Sequence, residues 1–332
     1  MALQAARVTD SVIEDSISRS AIRAVFDATG TLPGVVTRRE PLMGGHGTIT
    51  IVGASSVLLD ETFALAMRCE ALWSRFIASS DISQLNWSEG EPTVVDQSTV
   101  RLVEAMRDGW KLTAGDYDPT LLPDVLAAGY AASFVDPSRV TALPPSAVAP
   151  GKIDRITIDR QTVTLPFGTT LDPGGIGKGL AADIACEFAM AEGAWGVMAE
   201  FGGDVVVAGQ APDGVAWRLG IEDPLDPGGH CAVIRLARGS LVTSSQRKRR
   251  WATRDGDRHH LIDPGTHTSA STSVQTVSVI AATGARAETL AKSGFVRDVA
   301  GYLGWLPTVG AAGLVTNDTG AISTSQNWSR YL

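Results

Sequence analysis

Four stretches of this sequence carry residues whose types and spacing suit chemistry on an anionic ligand. The first is Leu171-Asp172-Pro173-Gly174-Gly175-Ile176-Gly177-Lys178-Gly179-Leu180, with Asp183 after it. Glycines let backbone approach a ligand closely, and a helix that starts here presents free N–H groups to negative charge. Lys178 adds a point charge suited to phosphate. The stretch is not a Walker A loop: Gly179 stands where that motif needs Ser or Thr, and Asp172 where it needs its first glycine. It also fails the dinucleotide-binding pattern G-x-G-x-x-G. A plain helix-capping turn is the alternative reading.

The second stretch is Tyr117-Asp118-Pro119-Thr120, which by itself reads only as a turn. The third is His259-His260-Leu261-Ile262-Asp263-Pro264, where a histidine with a carboxylate three residues on can move protons near neutral pH. The fourth is Leu241-Val242-Thr243-Ser244-Ser245, followed by the basic run from Arg247 to Arg250. Its hydroxyls and main-chain N–H groups could hold a phosphate; a solvated charge run is the alternative.

The elements that must position these residues can be read from periodicity. A helix is expected over Val12–Phe26, then a turn at Pro33-Gly34 and a strand over Gly47–Val52. Helices are expected over about 60–79, 96–113 and 179–192, with a polar loop at Ser80–Trp87. The Tyr-Asp-Pro-Thr turn should open a short helix. Ile153–Ile158 and Thr162–Leu165 read as a hairpin. Further strands are expected at Trp195–Phe201, Val205–Ala208, Trp217–Glu222, Cys231–Leu236, Leu241–Ser244 and Thr276–Ala281. Trp251–Arg254 and Arg258–Ile262 flank an Asp255-Gly256 turn, and a last helix is expected over Ala285–Val299. Strand pairs mixed with helices, without strict alternation, indicate an α+β fold.

With 332 residues, 44% apolar and 19% charged, the chain is long and apolar enough for a large core. A net charge of −8 argues against a nucleic-acid surface. Three cysteines without a CxxC pair argue against a disulfide framework. The first 39 residues lack a basic start followed by an apolar run, and no long apolar stretch suggests membrane insertion. A cytoplasmic location is the expectation.

The order of the motifs is more specific than any one of them. Met43-Gly44 with Gly47-Thr48 comes first, then Asp81–Asn86, the Tyr-Asp-Pro-Thr turn and the glycine loop. Phe201-Gly202-Gly203-Asp204, Trp217–Pro224, Thr243-Ser244 and His260–Pro264 follow. This series resembles the FAD:protein FMN transferase, or ApbE-like, family, over roughly residues 41–325. The resemblance implies mixed sheets with helices in two closely joined lobes and a ligand cleft between them. It sets residues 1–40 apart as an N-terminal extension and makes 41–332 the FAD-binding transferase domain.

The activity it implies is movement of FMN from FAD to a threonine of an acceptor flavoprotein, releasing AMP, with Mg²⁺ polarising the pyrophosphate. An FAD pyrophosphatase giving FMN and AMP, or a non-catalytic FAD-binding protein, are the alternatives. By position, Met43 should meet the flavin, and Asp118 and Thr120 should line the cleft. Gly175, Lys178 and Asp183 should hold the FAD chain and its adenosine end. Gly202, Gly203 and Asp204 should form the pocket floor, with Thr243 and Ser244 touching the ligand. His260 is the implied proton-transfer group, with Asp263 beside it.

One departure concerns the metal. The family carries an Asp, and four residues later a Thr, on a late helix; here Glu288 and Lys292 stand in those places. Either Glu288 still binds Mg²⁺ beside Lys292, or the Lys292 ammonium sits where the metal would and pairs with Glu288. A surface i,i+4 ion pair is the plain alternative. Two milder departures are Ser245 and Gly177, where the family often has glycine and alanine.

Overall fold

The computed structural model describes residues 33–226, 228–253 and 256–332. The helix expected over Val12–Phe26, and Asp255 of the expected turn, lie outside the described residues.

The frame is an eight-stranded sheet whose strand order is its chain order. The strands are β1 (Val35–Leu42), β2 (Gly45–Val52), β3 (Gly196–Phe201), β4 (Asp204–Gly209), β5 (Gly239–Ser245), β6 (Val274–Ala281), β7 (Ala312–Asn317) and β8 (Ile322–Thr324). Every neighbouring pair is antiparallel. Because β1 pairs along its whole length with β2, residues 35–40 belong to the sheet, which begins before the boundary expected at residue 41.

Side-chain alternation explains why both faces are covered. Ile49, Ile51, Val197, Ala199 and Val206 pack beneath α1 (Ser56–Trp73), α2 (Gln97–Leu112) and α3 (Gly177–Ala191). Farther along the sheet, Val242, Val277 and Val279 pack beneath α4 (Gly284–Ser293) and α5 (Val299–Trp305). The alternate residues Val52, Val207, Leu241, Ile280 and Leu314 face the other way. There they meet Trp217, Leu219 and Ile221 of a hairpin formed by Trp217–Glu222 and His230–Leu236. None of the described helices is long and apolar enough to cross a membrane.

Several local expectations shift. The helix expected over Ala285–Val299 is two helices, because Gly294 follows α4 and the Asp298 side chain caps α5 by accepting the Gly301 N–H at 2.7 Å. A Cβ at Gly294 would lie 2.8 Å from Val277, so the break also lets the chain pass close to β6. The expected polar loop at Ser80–Trp87 holds a short helix, Asp81–Asn86, capped by Ser80. Asn86 at its end accepts the Leu171 N–H at 2.7 Å and donates to the Leu171 carbonyl at 2.9 Å. It thereby anchors the chain entering the glycine loop. The Ile153–Ile158 strand is replaced by a 3₁₀ turn and a shorter strand, Thr157–Asp159, paired with Thr162–Thr164.

α3 and α4 touch backbone to backbone at Gly179 and Gly284, where a Cβ on Gly179 would lie 2.4 Å from the Gly284 carbonyl. Gly179→Ala is therefore expected to lower the unfolding free energy by about 1–3 kcal/mol, read from the urea midpoint. Gly177→Ala is the control: its Cβ would meet nothing nearer than Pro173 at 3.6 Å, and its midpoint should hold or rise.

Candidate functional site

The helices and loops above the sheet enclose a cavity of about 650 Å³, within the span of small-molecule sites. Met43, Asp118, Gly175, Lys178, Arg249, His260 and Lys292 all line it. The glycine loop and the His260 segment, 82 positions apart at Lys178 and His260, thus face one space.

Met43 sits in the two-residue turn between β1 and β2, where Met43 and Gly44 both have positive φ, 51° and 74°. Such a turn matches the twist of the flanking strands, but a left-handed methionine is uncommon and strained. The strain presents its side chain at the cavity wall. The turn between β3 and β4 is built alike, with Gly202 and Gly203 at φ 63° and 97°.

Lys178 lies in the first turn of α3 and is not a free point charge. Its Nζ is 2.7 Å from Glu288 Oε1 on α4 and 2.8 Å from Asp204 Oδ2 on β4. Burial acts to lower its pKa, but Asp204 and Glu288 outweigh it and hold the ammonium above the ordinary lysine value. Burial, reinforced by Glu288, pushes Asp204 up to about 6 against the pull of Lys178. Glu288 is fully buried, yet Lys178 and then Lys292 outweigh the burial and keep its carboxylate below the usual range. Its second oxygen, Oε2, accepts the Gly179 N–H at 2.8 Å.

One turn along α4, Lys292 donates to Ser244 Oγ at 2.8 Å and makes no carboxylate ion pair among the described residues. Burial lowers its pKa, with only partial recovery from Glu288. His260 is half-buried, and its Nδ1 has no hydrogen-bond partner among the described residues. Burial, then Arg249 and Lys292, push its pKa well below the ordinary histidine value, so it is neutral at pH 7. Its neighbour His259 is structural: it is buried, with Nε2 3.0 Å from the Ala270 carbonyl.

Other expected site residues serve the frame. Asp183 does not line the cavity; its two oxygens accept the Gly284 and Ala285 N–H groups at 2.6 and 2.9 Å, capping α4. Thr120 is fully buried and bonds Asp118 and the Gly151 N–H, leaving Asp118 alone of that pair at the cavity. Thr243 bonds Ser278, and Ser244 is taken by Lys292; neither lines the cavity. Gly202 and Gly203 are absent from the wall; a Cβ on Gly202 would press within 3.3 Å of Lys178, so the turn makes room for that side chain and brings in Asp204. Asp263 is not paired with His260: its carboxylate accepts the Gly265 N–H at 2.8 Å in a local turn.

Two residues carry no site role in the sequence, Arg75 unremarked there and Tyr117 legible only as part of its turn. Tyr117 is buried against the cavity, and its hydroxyl has no hydrogen-bond partner among the described residues. Arg75 is buried, donates to Thr141 and to the Tyr130 carbonyl, and lies over the Phe76 and Tyr130 rings at 4.2 and 4.7 Å. Buried polar side chains on a cavity wall would have been the signal, and burial is not visible in a single sequence.

The ApbE family model matches residues 43–313. The chain belongs to the ApbE family. It is 28% identical over 263 residues to the FAD:protein FMN transferase of Treponema pallidum (strain Nichols), covering 72% of this chain and 70% of that one. It is 28% identical over 239 residues to the FAD:protein FMN transferase of Vibrio cholerae, covering 69% and 70%. The ApbE protein of Thermotoga maritima superposes with a TM-score of 0.78 at 24% identity, over 90% of this chain and 99% of that one, a likeness of fold. The ApbE-like fold read from the motif order is thereby borne out.

The Mg²⁺ expected from the resemblance does not fit the groups present. Both Glu288 oxygens are engaged, one by an ammonium and one by a backbone N–H, and a second ammonium, Lys292, stands beside them. Magnesium needs near-octahedral oxygen donors. Among the described residues no cluster of three or more His, Cys, Asp or Glu side chains could hold a metal ion. Of the readings left open for Glu288 and Lys292, the surface pair is excluded, because Glu288 is fully buried.

Proposed function

We propose that the cavity binds FAD and that the protein transfers the FMN half of FAD to a threonine hydroxyl of an acceptor flavoprotein, with AMP as the leaving group. The carrying observation is His260: an imidazole whose Nδ1 has no partner among the described residues, on one cavity wall with Arg249 and Lys292, cations that form no ion pair among those residues. Membership of the ApbE family and the activity named for its curated relatives support the same reading.

The chemistry follows from these groups. The acceptor threonine Oγ attacks the flavin-side phosphorus, and its proton passes to His260. The new O–P bond forms as the bond from that phosphorus to the bridging oxygen breaks, and the electron pair leaves with AMP. Negative charge grows on the phosphoryl and bridging oxygens, where fixed cations and N–H dipoles stabilise it. The Lys178–Glu288–Asp204 cluster fixes the start of α3 beneath the glycine loop.

FAD titration followed by absorbance, then separation of AMP and free FMN with and without the acceptor flavoprotein, tests the proposal. AMP release that depends on the acceptor, with FMN appearing on the acceptor protein, is the expected result. Free FMN released equally fast without acceptor would make water the nucleophile and the protein a pyrophosphatase. A protein with no FAD affinity would end both readings.

A further inference from the structure

The cations at the cavity fall into two groups. Lys178 is neutralised by two carboxylates and holds α3, α4 and β4 together. Lys292 and Arg249 form no ion pair among the described residues, and both line the cavity. They flank the space from different elements. Lys292 reaches the glycine loop, its Cε 3.6 Å from where a Gly175 Cβ would lie. Arg249 reaches the β1–β2 turn, its Nη2 3.8 Å from where a Gly44 Cβ would lie. Both act electrostatically on His260. Lys292 has three N–H donors and one protein acceptor, Ser244 Oγ, so donors remain for a ligand.

A diphosphate diester carries two negative charges, and two unpaired monocations supply the charge of one divalent ion. A divalent ion placed there would meet Lys292 and a carboxylate already pinned by Lys178, and would be repelled. We infer that Lys292 and Arg249, in place of a divalent metal ion, neutralise the diphosphate as its P–O–P link is cleaved, so that cleavage is metal-independent. The inference rests on the FAD reading above. No atom is added to the balance of the step: two protein cations pair with the phosphate oxygens, and the leaving pair still departs with AMP.

The test uses the full chain, treated with EDTA and assayed with FAD and acceptor flavoprotein in EDTA or in millimolar Mg²⁺. FAD affinity, from flavin fluorescence quenching, and AMP release should agree within about twofold between the two conditions. Lys292→Met should lose about 10²–10³-fold in AMP release and should not be restored by Mg²⁺. Lys292→Arg, which keeps the cation, should recover part of that loss. Arg249→Met, at a half-exposed position, should lower FAD affinity, and it keeps the idea open to refutation if Lys292→Met does not fold. Wild-type protein that binds FAD but releases AMP only with Mg²⁺ would overturn the inference and leave the FAD reading standing. Absence of FAD binding in either condition would overturn both.

Discussion

Glu288→Ala is expected to cost about 3–5 kcal/mol of unfolding free energy, the loss typical when one partner of a buried ion pair is deleted. The side chain is fully buried, and both its oxygens are committed, to Lys178 and to the Gly179 N–H. Deletion leaves Lys178 with Asp204 alone and strands a buried N–H at the start of α3. The damage concentrates where α3 and α4 meet at Gly179 and Gly284. Urea unfolding followed by tryptophan fluorescence measures it, and a loss below about 1 kcal/mol would mean that water replaces the pair.

The pH dependence carries a sign. Glu288 is held below its ordinary value of 4.5, so its contribution is present above that pH and is lost as pH falls through the depressed folded value. The gap between wild type and Glu288→Ala should therefore be widest near neutrality and close in acid. Asp204 runs the other way. Pushed up to about 6, it favours the fold most below its ordinary 3.8, and that contribution fades as pH rises through 6.

These two carboxylates mark the limit of what the sequence makes legible. Strands that alternate between two covered faces are readable, and Trp217–Glu222 is found at its expected bounds. So is a helix that starts in a glycine loop, because glycine spacing and apolar period are local properties. A carboxylate's partner is not local. Asp183, four residues into the helix after Gly179, resembles a ligand-binding acid, but its two hydrogen bonds come from N–H groups about a hundred positions away. Asp263 fails for the opposite reason, since the Gly265 N–H two residues on satisfies it before His260 can. Glu288 and Lys292 share a helix, and i,i+4 spacing suggested they pair with each other. The structure gives Glu288 to Lys178 and Lys292 to Ser244, because α4 packs between α3 and β5. Which neighbour wins is decided by helix packing, and a single chain of letters does not encode that directly.

His260→Ala is expected to lower AMP release by about 10²–10⁴-fold while FAD still binds, the signature of losing a general base. Arg249 and Lys292 remain in the variant, so the electrostatic part of binding survives. The pH profile separates a base from a merely structural imidazole. Burial, with Arg249 and Lys292, disfavours the imidazolium, so in the free enzyme His260 stays neutral until well below pH 6.5. The acid limb of kcat/KM, which reports the free enzyme, should accordingly fall below 6.5 in the wild type and vanish in His260→Ala. Bound FAD brings two negative charges beside the same imidazole and favours its protonated form. The acid limb of kcat should therefore lie at higher pH than that of kcat/KM. Limbs that coincide would place the diphosphate too far from His260 for it to serve the reacting hydroxyl.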